Sequence, residues 1–341
     1  MRVLACFVVV AALAAMLHPT LQSQALDATQ VLTATREALG GEKKLSAVRS
    51  FMATGRTRQL RGNNLVPIVF EINCELPDKF VRTDEFPAQD ADPTTQGFNA
   101  DELIQLPPPL PGRGGSPGPP GGRAGAPAPP AVGRGGPPPL TPAQQRVAAV
   151  KQDFVRLTLG IFATSFSTFP LTFKYAAVGE APEGTADILD VAGPANFSAR
   201  FVVQRDTHLP VMLMWQQPAT NVVLRSPGQP APNPLPPGAL VAEAPAAPAA
   251  TATQEERDQY AAAIATLRRQ TLAQAKPIDY RVYYGDFRDV DGVKFPFRLR
   301  RAIAGETIEE TVFDRVRINA RIDPRKFEIQ KPGVQKSGER K

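Results

Sequence analysis

The chain has 341 residues, 21% of them charged, and a formal net charge of +6. That length suits one large domain or two small ones. The basic residues are interleaved with acids, so the charge reads as solubility with weak attraction to anionic membrane surfaces. Two cysteines and two histidines are too few for a disulfide framework, or for a zinc site without carboxylate help.

In chain order, Arg2 precedes an apolar run from Val3 to Leu17, followed by His18, Pro19 and the small-residue site Ser23-Gln24-Ala25. This pattern predicts a secretory signal over 1–25, cut after Ala25, and hence a periplasmic protein. The run is too short for a membrane span, so no transmembrane segment is expected after cleavage. Cys6 and His18 leave with the signal, and Cys74 and His208 stay. No intramolecular disulfide is then expected. A Ser-His-Asp site would have to use His208, and no G-x-S-x-G elbow is present.

Asp27 caps a predicted helix to Leu39 with Val31, Thr35 and Leu39 on one stripe, and Gly40-Gly41 stops it. "EKKLSAV" reads as a turn of helix and "SFMATGRTRQL" as a strand. From 68 to 76, Ile68, Phe70, Ile72, Cys74 and Leu76 alternate with polar positions, the mark of a strand buried on one side. Cys74 on that face reads as a small core hydrophobe. Residues 106–139 are dominated by Pro and Gly and cannot bury enough surface to offset ordering, so a disordered insertion is expected.

Thr141, Pro142 and Gln144 start a second helix with Val147, Val150, Phe154, Leu157 and Ile161 at helical spacing. "LTFKYAAVG", "TADILDVAG", "SARFVVQRD" and "LPVMLMWQQ" are expected strands. A Pro/Ala-rich stretch at 217–252 is a second expected disordered insertion or long loop. Thr253 and Glu256 box a third helix whose stripe is Tyr260, Ile264, Leu267 and Thr271. The last strands expected are "IDYRVYYGDF", "GVKFPFRLRRAI", "ETIEETVFDRVRI" and "KFEI", before a flexible basic tail at 331–341. Consecutive strands with short turns and few helices predict an α+β class: one domain over 26–330, an antiparallel sheet with amphipathic helices on one face.

The acid cluster Asp286, Asp289 and Asp291 fits neither EF-hand register, because Arg288 or Gly292 falls where ligands or spacing are needed. It also lacks the paired-carboxylate setting of a glycosidase. Asp291-Gly292 is a hairpin signal, and Pro296 beyond it implies an edge position or a bulge. The GRGG repeats at Gly112 and Gly133 lack stacking aromatics, so they give no nucleic-acid reading. No Walker loop, dinucleotide fingerprint or H-E-x-x-H occurs. No catalytic residue, metal site or cofactor is expected.

"REALGGEKKLSAVRSFMATGRTR", "ELPDKFVRTDEF", "VVQRDTHLPVMLMW" and "YYGDFRDVDGVKFPFRLRR" resemble segments of exported bacterial outer-membrane lipoprotein-sorting-like (LolA-like) proteins. The resemblance implies a strongly bent, unclosed antiparallel β-barrel with helices over its open side. It also implies an apolar cavity for acyl chains or a lipoprotein-sensing role, with no catalytic residue. The expected function is therefore a non-enzymatic carrier of a lipid or lipoprotein acyl chain, lined by Phe70, Ile72, Phe154, Leu157, Phe295 and Phe297. Each of these also reads as ordinary core. The alternative is an envelope module without a small ligand that binds a protein partner through its proline-rich insertions.

Overall fold

A computed structural model describes residues 27–62, 64–108, 140–181, 184–231, 233 and 235–329. The expected export signal, the basic tail and residues 109–139 of the first insertion lie outside the described residues. Helix α1 (Ala28–Ala38) starts at Asp27, whose N–H donates to Gln30 Oε1 at 3.3 Å, and it buries Val31 and Thr35. Gly40 (φ 136°) and Gly41 (φ 89°) end it in backbone conformations that glycine adopts readily. Helix α2 (Glu42–Ser46) follows.

The strands of the first half are β1 (Ser50–Arg61), β2 (Asn64–Glu75), β3 (Lys79–Glu85), β4 (Thr94–Asn99) and β5 (Glu102–Leu106). Helix α3 (Pro142–Phe162) leads to β6 (Thr172–Ala181), β7 (Gly184–Gly193), β8 (Phe197–Gln204) and β9 (Pro210–Gln217). Strands β10 (Val222–Arg225) and β11 (Leu240–Glu243) and helix α4 (Gln254–Ala273) precede β12 (Ile278–Val290), β13 (Val293–Ile303) and β14 (Glu306–Ile318).

Among the described residues, twelve strands form one sheet in the order β5-β4-β3-β2-β1-β14-β13-β12-β9-β8-β7-β6. Every pairing in it is antiparallel. β5 and β6 are the two edges, so the sheet does not close. The chain between them runs through α3, which therefore passes from one edge to the other. Residues close together on α3 touch strands far apart in that order. The Phe154 ring lies 5.4 Å from Phe98 on β4, and the Arg156 guanidinium lies 5.7 Å from the Phe197 ring on β8. In a flat sheet those strands would sit about 38 Å apart at about 4.8 Å per strand. The sheet must therefore curl around the helix, as an unclosed, strongly bent sheet does.

Several expectations change. β4 and β5 were not legible, because "TTQGFN" does not alternate. Its Gly97 is where two backbones approach, and a Cβ there would lie 2.1 Å from the Phe80 carbonyl. Within 217–252, β10 and β11 pair in parallel, because two short apolar runs, 222–224 and 240–241, survive among the prolines. "KFEI" is no strand. Pro324–Phe327 form a 3-10 turn that buries Phe327, and Phe327 packs with Val81, Ile104 and Ile322. α4 buries none of its residues, although Tyr260, Ile264, Leu267 and Thr271 are half-buried as the stripe predicts.

Pro296 sits in β13, an interior strand, yet its stretch has one neighbour. From Val293 to Pro296, β13 pairs with β12 alone, and the β14 ladder begins at Arg298↔Val312. The missing proline donor is therefore not needed there. The freed edge is met by α1: Lys294 N–H donates to the Leu39 carbonyl at 2.8 Å. Asp291 (φ 54°) and Gly292 (φ 82°) form the two-residue hairpin turn between Val290 and Val293. Asp289 Oδ1 accepts the Gly292 N–H at 2.9 Å, and Asp286 is paired by Arg288.

Candidate functional site: the concave face and its polar band

The concave face has an apolar floor. Phe51 contacts Phe295 at 6.0 Å, Phe295 contacts Phe313 at 5.3 Å, and Phe313 contacts Phe70 at 5.4 Å. Phe154 of α3 lies against Phe80 (5.5 Å), Phe98 and Phe166 (5.9 Å). Phe297 stands edge-on to Phe295 at 6.1 Å. All six expected lining residues, Phe70, Ile72, Phe154, Leu157, Phe295 and Phe297, are buried in this one cluster. α3 fills the floor: its residues from Phe154 to Phe162 are all buried, as a helix that is apolar on most of its circumference should be. Gly160 permits this, because a Cβ there would meet the Tyr284 ring at 2.3 Å.

The sequence reading missed a band of polar side chains across the same face. Asp84 accepts from Arg82 Nε at 2.7 Å. Arg82 reaches Thr57 Oγ1 at 3.3 Å while covering the Phe70 ring at 4.6 Å. Thr57 and Thr311 share a 2.8 Å hydroxyl contact, and Gln59 donates to Glu309 at 3.0 Å. Glu309 is the cross-strand neighbour of Arg301 and is the main influence holding the Arg301 pKa above its usual value. Arg301 lies 3.9 Å from Asp153, which accepts from Arg156 at 2.8 Å.

Arg156 anchors the far end of the band. Its guanidinium stacks 4.4 Å from the Trp215 ring, its Nη2 donates to Gln152 at 3.2 Å, and its backbone carbonyl accepts from the Tyr284 hydroxyl. Its side chain is 9% exposed, and burial lowers its pKa against the opposing pull of Asp153. Burial also raises the Tyr284 pKa. One signal for this end was available in the sequence: Arg156 interrupts an otherwise apolar helix run. Nothing in local sequence pairs it with Trp215 or Arg301.

A cleft of about 850 Å3 lies away from this face, between α4, β11 and the start of β12, and includes Leu240, Leu267, Ile278 and Arg281. His208 is exposed in the β8–β9 turn with φ 55°. Cys74 is fully buried, which raises its thiol pKa. Among the described residues, no cluster of three or more His, Cys, Asp or Glu could hold a metal ion. Among them, too, no helix is long and apolar enough to cross a membrane.

Comparison with solved structures finds distant likenesses. A LolA superfamily protein from Nitrosomonas europaea matches with a TM-score of 0.45 at 9% identity, over 89% of this chain and 98% of its own. A domain described as an outer membrane lipoprotein-sorting protein from Vibrio parahaemolyticus matches at 0.41 and 6%, over 88% and 97%. A DUF1329 family protein from Desulfovibrio piger matches at 0.38 and 6%, over the same shares. No family model matches the chain, and no curated protein matches it in sequence.

Proposed function

We propose that the protein is a periplasmic, non-enzymatic carrier or binding protein for an amphiphile, a lipid or a lipoprotein acyl chain. The observation that carries this reading is the division of one concave face into a phenylalanine floor and an ion-paired polar band. An acyl chain with a polar head presents the same two surfaces, and sites for such ligands are concave and mainly apolar with few polar groups. Phe70, Ile72, Phe154, Leu157, Phe295 and Phe297 are the proposed chain-contacting residues. α3 lies on that floor, so uptake requires it to move aside. The sequence resemblance of 36–58 and 75–86 to LolA-like proteins supports the same reading. Native mass spectrometry of protein purified from envelope extracts tests it. A lipid-mass adduct that delipidation removes is expected. Protein that stays ligand-free and takes up no lipid from vesicles overturns the reading.

One observation favours a second reading, an envelope module that contacts a protein partner. α4 buries no residue, and its main packing partner is the small β10–β11 sheet, so most of this helix faces outward. Deleting 109–139, or 218–276, with retention of the fold and loss of an envelope pull-down would favour this reading.

A further inference from the structure

We propose that Arg156, Arg301 and Trp215 together bind the oxyanion of the amphiphile, a carboxylate or phosphate, and that Asp153, beside the Nη atoms of both arginines, competes with it for their charge. This rests on the amphiphile reading above. Arg156 Nε, Arg301 Nε and Trp215 Nε1 are each buried, and each lacks a hydrogen-bond partner among the described residues. They belong to one neighbourhood: Arg156 stacks on Trp215, both arginines face Asp153, and Trp215 stacks on Tyr280 beside Arg301. Guanidinium and indole nitrogens donate and never accept, so they cannot satisfy one another. Only an acceptor-rich group can meet three such donors, and oxyanions do so with short, charge-assisted bonds that arginine forks match.

The acids nearby are otherwise committed or movable. Glu309 accepts from Gln59 at 3.0 Å and from Thr311 at 3.5 Å. Asp153 has a side chain 49% exposed, so it can turn to water when a ligand oxyanion arrives. Arg301, 34% exposed at its side chain, gives that oxyanion a path from solvent. The site thus places the head of the ligand in the polar band and directs its chain along the phenylalanine floor.

Trp215 is the single tryptophan, so its fluorescence reports this site directly. The full mature chain is titrated, below micelle-forming concentrations, with dodecyl phosphate, neutral dodecyl maltoside and inorganic phosphate. Dodecyl phosphate should shift Trp215 emission saturably, at a concentration at least about tenfold below that needed for dodecyl maltoside. Arg301→Gln should weaken dodecyl phosphate about tenfold, the loss expected for one charge-assisted bond. Asp153→Asn should tighten it severalfold, because the internal competitor is gone. Arg300→Gln should leave binding unchanged, since Arg300 stacks on Tyr283 on the other face of the sheet. Equal binding by the phosphate and the maltoside, or wild-type affinity in both Arg301→Gln and Asp153→Asn, overturns the oxyanion site and leaves the carrier reading standing. Inorganic phosphate binding as tightly as dodecyl phosphate overturns the carrier reading and leaves the oxyanion site standing. No response to any probe overturns both.

Discussion

The Arg156 guanidinium lies 4.4 Å from the Trp215 ring centroid, and Trp215 stacks on Tyr280 at 5.6 Å with an interplanar angle of 24°. α3 and the far half of the sheet are thereby joined by a buried cation–π contact, a type worth about 1–2 kcal/mol when desolvated. A double-mutant cycle with Arg156→Met and Trp215→Phe, followed by urea unfolding, should give a coupling energy of about that size. Additivity within about 0.3 kcal/mol would show that the stack adds nothing beyond packing.

Gly40 holds the end of α1 against the β12–β13 turn. Its φ is 136°, and a Cβ there would lie 2.4 Å from the Gly292 carbonyl oxygen. Gly40→Ala should cost about 2–4 kcal/mol, through backbone strain and the displaced turn together. Gly285→Ala, with open space around its Cβ, should stay within about 0.5 kcal/mol. Urea midpoints of the two variants check the contrast, and equal midpoints would refute it.

The elements that sequence made legible are those with unbroken periodicity and clear punctuation. Asp27 and Gly40-Gly41 bracket α1, Thr141-Pro142 opens α3, and Asp291-Gly292 marks the β12–β13 hairpin. The expected lining residues gather in one cluster because alternation along β2 and β13, and helical spacing along α3, assign each to a face. β4 and β5 escaped because their stability comes from pairing, β4 with β3 and β5 with β4, and not from local pattern. The polar band escaped for a related reason. Asp153, Arg156, Trp215 and Arg301 come from three elements, and only the curl of the sheet brings them together. Pro296 implies an unpaired side from sequence alone, but which strand is missing there depends on where β14 parts from β13.

Alkaline pH should loosen the fold in two steps. Burial raises the Cys74 and Tyr284 pKa values above their usual 9.0 and 10.0, so the folded state holds both protons more tightly than the unfolded chain. Their contribution is fully present below those values and declines as pH rises past them, because the unfolded state then gains by ionising. The urea midpoint should therefore fall from about pH 9 upward. Cys74→Ala should delay the onset to about pH 10, where tyrosine ionisation begins. An unchanged onset in that variant would rule Cys74 out as the first group.

Thr57 and Thr311 form a buried hydroxyl pair in the polar band, 2.8 Å apart. Thr57→Val or Thr311→Val alone leaves a partner hydroxyl short of a hydrogen bond and should cost about 1–2 kcal/mol. The double variant replaces both with apolar groups of similar shape and should cost less than the sum of the two. Chemical denaturation of the three variants measures this, and strict additivity would mean that the pair does not interact.

Phe154 is the test of whether the floor can receive a chain. Its ring is fully buried among Phe80, Phe98 and Phe166. Phe154→Ala should lower stability by about 3–5 kcal/mol, the usual cost of removing a core aromatic. The space it leaves lies on the floor, lined by rings, and apolar cavities of this kind stay dry and take up apolar molecules. The variant should therefore bind the apolar fluorophore N-phenyl-1-naphthylamine more tightly than the native chain, with emission rising saturably on titration. Ala199→Gly, on the same face but with little side chain to lose, should not. A destabilised Phe154→Ala protein with no gain in dye binding would mean that the neighbouring rings close the gap, and that the floor serves as packing and not as a receiving surface.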